Sequence, residues 1–122
     1  MARILIFCEL FEIREVLAQD LAAEGHTVVG TSNPALIQTL LRDLNPVLVL
    51  IDLHLNKIDP WKMVHLIRKK SPGTRVLPFA AYTTERGDVR LVISNRDGGE
   101  NLSFQAFKQK MDIFIHPQRG AD

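Results

Sequence analysis

Cysteine occurs once in this 122-residue chain, at Cys8, which excludes an internal disulfide framework and fits a reducing compartment. Net charge is nearly as scarce. Lys and Arg total 15 against 14 Asp and Glu, a balance of +1 at pH 7. That balance gives no electrostatic ground for nucleic acid or a membrane surface as partner. No apolar run approaches the ~18 residues of a membrane span, and the opening "MARILIF" passes straight into a strand, which argues against a signal peptide. A cytoplasmic protein is expected. Internal repeats and low-complexity stretches are absent, as are dinucleotide loops, P-loops and Ser-His-Asp arrangements, so a conventional enzyme is not expected.

What is present is an ordinary globular mixture, 46% apolar and 24% charged, in a length that suits a single domain over residues 1–122. "RILIF" (Arg3 to Phe7) is a continuous apolar run of the kind found in strands buried on both faces. Ile13, Val16, Leu17 and Leu21 follow at helical spacing, and Gly25 stands where a helix would end. "HTVVGT" reads as a second strand. Asn33-Pro34 and Asp59-Pro60 each give an N-cap followed by proline at the first helical position. The first opens a helix with Ile37, Leu40, Leu41 and Leu44 inward; the second opens one with Met63, Val64, Leu66 and Ile67 inward. Arg68 to Lys70 close that helix, where cations complement its dipole. Between the two helices lies "VLVLID", and after them "RVLPFAA".

Strand and helix thus alternate with short connections, the pattern of an open parallel sheet with right-handed crossovers and helices on both faces. In such sheets ligands sit beyond the carboxyl ends of the strands. Asp52 ends an aliphatic run, so it is expected to project into that crevice. The last third is less regular. Residues 83–100, "TTERGDVRLVISNRDGGE", offer one apolar cluster (Val89, Leu91, Val92, Ile93) that suits either a short helix or an extra strand. "NLSFQAFKQK" reads as a helix anchored by Leu102, Phe104 and Phe107, and "DIFIHP" as a fifth strand.

Four segments, in this order, resemble the receiver domain of bacterial two-component response regulators, the CheY-like superfamily. "RILIFCEL" is similar to the family's first strand and its acidic pair. "VLVLIDLHL" resembles the phosphoacceptor strand and places the phosphorylatable aspartate on Asp52. "PGTRVLPFAAY" resembles the fourth-strand text and "IFIHP" the fifth-strand ending, where Lys-Pro is usual. The resemblance implies a flavodoxin-like, doubly wound sheet of five parallel strands in order 2-1-3-4-5. It also implies Mg2+ as cofactor, held by Glu9, Asp52 and the backbone carbonyl of His54, and a sensor histidine kinase or a downstream effector as protein partner.

Three positions depart from the family. The first acid is Cys8, the switch hydroxyl falls on Ala80, and the lysine falls on His116, which is shorter and mostly uncharged at pH 7. Phe114 stands near the usual aromatic position. Removing one donor that stabilises transferring charge typically costs a factor of about 10² to 10³ in rate. A degenerate receiver working as a protein-interaction module, with phosphorylation at Asp52 weak or absent and Mg2+ held weakly, is therefore expected. Two alternatives stay open. One is a true phosphoacceptor using Glu9 and Asp52 with Mg2+, with Thr83 or Thr84 as a replacement hydroxyl. The other is a transition-metal site drawn from Cys8, Glu9, Asp52, His54 and His116.

Pro78 stands inside the fourth strand, where it removes a ladder donor. Only "QRGAD" follows the expected fifth strand, so the family's last helix is expected to be missing or replaced. One sheet face would then be uncovered, and a homodimer burying it through residues 83–100 is expected.

Overall fold

The computed structural model describes residues 2–95 and 98–115. Its centre is a parallel core built from the aliphatic runs. Strands β1 (Arg3–Phe7) and β3 (Leu48–Asp52) lie side by side, and almost every residue in them is buried. β2 (Thr27–Thr31) pairs with the outer edge of β1, and β4 (Arg75–Thr83) with the other edge of β3, all parallel. The crossovers are helical: α1 (Phe11–Ala23), α2 (Ile37–Leu44) and α3 (Pro60–Lys70).

The cap signals act as expected. Asp59 accepts a hydrogen bond from Trp61 N at 2.9 Å ahead of Pro60. Asn33 accepts one from Ala35 N at 3.0 Å, opening a 3₁₀ turn (Pro34–Leu36) that leads into α2. α1 ends on Gly25, whose φ of 95° is the left-handed conformation that glycine adopts without strain.

Beyond β4 the chain departs from expectation. The described part of residues 83–100 is a hairpin where an irregular segment was expected: β5 (Val89–Asn95) pairs antiparallel with β4, and β6 (Gly98–Ser103) antiparallel with β5. The sheet is therefore mixed and six-stranded, in order β2-β1-β3-β4-β5-β6. The expected order survives, but the fifth place is filled by the hairpin. Asp112 to Ile115, read as the start of that strand, belong instead to one helix, α4 (Phe104–Ile115); the rest of "DIFIHP" lies outside the described residues. Phe107, Met111 and Ile115 recur at four-residue spacing and all pack into one core, a helical period that a short apolar run at the chain's end conceals. Pro78 is accommodated because the β4–β5 ladder begins at Phe79, one residue past it.

Two cores result. Leu5, Phe7, Val49 and Ile51 pack under α2 and α3 through Ile37, Leu41, Met63, Val64 and Ile67. On the opposite face, Ile4, Ile6, Leu48, Leu50, Leu77, Phe79, Leu91 and Ile93 meet Leu17 and Leu21 of α1 and Phe107 and Met111 of α4. Phe107 is fully buried, its ring 6.1 Å from that of Phe79. Lys108 ties α4 to α1, lying 3.4 Å from Asp20 and 3.7 Å from Glu24. The face expected to be bare is thus covered by α4. With it goes the physical reason for expecting a homodimer.

Candidate functional site

Asp52 ends β3 at the carboxyl edge of the sheet, as its place in the sequence requires, in register with Phe79 of β4. It is 2% exposed. A buried carboxylate must be satisfied by donors, and three reach it. His54 N donates to Oδ1 at 2.9 Å, an Asx-type bond from two residues on. On Oδ2 the contacts are longer: Glu9 N at 3.4 Å and the Cys8 thiol at 3.5 Å.

Cys8 and Glu9 follow directly on β1, so pairing of β1 with β3 carries them to the head of Asp52. The Cys8 thiol also faces Leu10 O at 3.6 Å. Burial, then the neighbouring charge of Asp52, push its pKa from 9.0 up to about 12. The thiol therefore stays protonated and acts as a donor toward Asp52. Because the folded value lies above the unfolded one, this group's stabilising contribution is complete below pH 9 and fades as pH rises toward 12. Stability of the native chain is expected to fall as pH rises from 9 toward 12, a slope that Cys8→Ala lacks, read by urea unfolding followed by circular dichroism across that window. At neutral pH alkylation of the folded protein should be far slower than of the denatured one. Equal rates would contradict the buried, protonated thiol.

Arg14 was not anticipated as a site residue. Its guanidinium donates to Cys8 O at 2.7 Å and lies 5.4 Å from the centre of the Phe11 ring. Its stem crosses β2 at Gly30, where an added Cβ would come within 2.9 Å of Arg14 Cγ. Arg14 thereby holds the Cys8–Glu9 corner. The available signal was a glycine inside a strand, which marks a close approach.

The remaining candidates separate. Ala80 lies one residue past Phe79 and carries no hydroxyl. Thr83 stands four residues beyond Phe79, about 13 Å along the strand. Thr84 is engaged in the β4–β5 turn, accepting from Asp88 N at 3.1 Å. Neither supplies the replacement hydroxyl. The His54 side chain is exposed, and its backbone N–H is the group that bonds Asp52. Phe114 falls within α4, and His116 lies outside the described residues.

For magnesium the fit is incomplete. Mg2+ demands oxygen ligands in near-octahedral geometry. Here a thiol proton points at Asp52, and among the described residues no group of three or more His, Cys, Asp or Glu could hold a metal. The same finding leaves Cys8, Glu9, Asp52 and His54 without a transition-metal cluster. One feature does favour a cation: Glu9 Oε2 is buried and has no hydrogen-bond partner among the described residues.

The fold is matched in solved structures. A response regulator from Thermotoga maritima is 21% identical, with TM-score 0.60, covering 70% of this chain and 71% of that one. The signal receiver domain of a DNA-binding response regulator (merR) from Colwellia psychrerythraea 34H is 22% identical, with TM-score 0.59 over 70% and 73%. This is a receiver fold. A chain in the crystal structure of histidine kinase ThkA in complex with response regulator protein TrrA is 28% identical to the present chain, with TM-score 0.60 over 72% and 76%. No family model and no curated protein matches the sequence. The β5–β6 hairpin stands where a fifth parallel strand was expected.

Proposed function

We propose that this chain is a single atypical receiver domain, a cytoplasmic protein-interaction module of two-component type. Phosphorylation at Asp52 is slow or absent. The observation that carries this reading is the closed state of the acid: Asp52 is buried and takes donors from Cys8, Glu9 and His54. In this reading its carboxylate ties the end of β1 to the loop after β3. Cys8 fills the place of a metal-binding acid, and Ala80 offers no hydroxyl to a phosphoryl group. The partner class is a sensor histidine kinase or a downstream effector. Support comes from the neighbour whose structure pairs a histidine kinase with a response regulator.

A second reading has its own observation. The orphaned Glu9 Oε2 and the long contacts to Asp52 Oδ2 favour a phosphoacceptor that holds Mg2+ between these two carboxylates. Calorimetric titration with Mg2+ separates the two. Weak binding, little changed in Glu9→Gln, is the expected result. Tight binding abolished in Glu9→Gln would establish the second reading.

A further inference from the structure

Arg14 makes contacts that its place on a helix surface does not require. It lies at the start of α1, half-buried, and its own N–H reaches Leu10 O at 3.0 Å. Its side chain leaves the helix, passes over Gly30 of the edge strand β2, and ends on Cys8 O at 2.7 Å. The sheet fixes this route. Gly30 pairs with Ile6, whose side chain enters the core under α1 and α4, so position 30 faces α1 as well. A Cβ there would stand 2.9 Å from Arg14 Cγ and 3.1 Å from Cδ. Gly30 is exposed and has no positive φ, so conformational freedom does not explain the glycine. The arginine stem does.

The corner that Arg14 reaches is the one that closes Asp52. Cys8 N donates to Thr31 O at 3.0 Å, the Cys8 carbonyl takes the guanidinium, and the thiol faces Leu10 O and Asp52 Oδ2. The thiol contacts are long, at 3.6 and 3.5 Å, and Glu9 N reaches Oδ2 only at 3.4 Å. The guanidinium bond is short and charge-assisted, which makes it the stronger restraint. Among the described residues no carboxylate pairs with Arg14. Its hold is on a neutral carbonyl and on the Phe11 ring, itself 62% exposed.

We propose that Arg14 is a clasp, a positioning residue seated on Gly30 that keeps the end of β1 against Asp52 and whose release opens the acid to solvent. The proposal rests on the reading of Asp52 as an acid closed by Cys8 and Glu9. It makes that closed state conditional, because a contact on the exposed first turn of α1 that drew the guanidinium from Cys8 O would be felt at Asp52.

Cys8 is the chain's one thiol, so its alkylation by iodoacetamide at mildly alkaline pH reads the opening directly. Arg14→Ala is expected to react about tenfold or more faster than the native chain, the scale of one charge-assisted hydrogen bond. The Arg14 charge favours the thiolate, so its loss alone would slow the reaction, and acceleration reports opening. Gly30→Ala keeps every charge and is expected to accelerate alkylation too, which keeps the test decisive should Arg14→Ala unfold. In the Arg14→Ala background it should add nothing, because the stem that it displaces is gone. Gln19→Ala, exposed on the same helix, is expected to react as the native chain does. The accelerated rates should be nearly independent of urea well below the unfolding midpoint, the mark of a local opening. A rate in Arg14→Ala within about twofold of native, an effect of Gly30→Ala that persists without Arg14, or acceleration that grows with urea as global unfolding does would each overturn the clasp. Rapid alkylation of the native chain would remove both the clasp and the closed state beneath it.

Discussion

Phe107→Ala is expected to destabilise the protein by about 3–5 kcal/mol, the range for deleting a fully buried aromatic side chain. The ring is inaccessible to solvent and packs on Phe79, which belongs to β4 and lies in register with Asp52. Its loss would leave a void between α4 and the sheet, and a domain of this size has only about 5–15 kcal/mol of total stability to lose. Urea unfolding reads the effect directly, with Val47→Ala as an exposed control expected to change little. A loss under about 1 kcal/mol, within the range of surface substitutions, would mean that α4 does not cover this face.

Cys8→Asp is expected to give the chain a magnesium response that it otherwise has only weakly. The substitution replaces an S–H donor with a carboxylate beside Glu9 and Asp52. Without a cation, three acids would crowd one buried corner, and the variant should melt well below the native chain. Mg2+ would relieve that repulsion. A ligand at a hundred times its Kd adds about 2.7 kcal/mol to the folded state, so melting should recover steeply as Mg2+ is added. The native protein should show little of this. If Cys8→Asp melts identically with and without Mg2+, the thiol is not what closes the cation seat.

These expectations rest on parts of the molecule that were unequally legible in the sequence. The parallel core was fully legible, because continuous aliphatic runs and Asn-Pro or Asp-Pro caps are local signals whose meaning does not depend on distant residues. Asp52 was legible for the same reason, since an acid closing a buried strand has little other purpose. The hairpin was half legible. Val89, Leu91 and Ile93 alternate as a strand should, but Val92 breaks the alternation and the glycine-containing flanks obscured it. α4 was misread at its carboxyl end because "DIFI" is both apolar and short, and only the four-residue recurrence from Phe107 through Met111 to Ile115 distinguishes helix from strand. Arg14 was illegible: its role depends on the pairing of β1 with β2, which brings Gly30 under its stem. The closed state of Asp52 was illegible too. The sequence could place Cys8 beside the acid, but not show that its thiol would be buried, protonated and aimed at it.

The central claim concerns whether that closed acid can accept a phosphoryl group, and intact-mass analysis addresses it most directly. The native protein and Asp52→Asn would be incubated in parallel with Mg2+ and a small acyl-phosphate donor, then weighed over time. The account predicts no stoichiometric phosphoryl adduct on the native chain, and only slow, partial modification at most. Rapid, complete modification that disappears in Asp52→Asn would contradict it and make this chain a working phosphoacceptor.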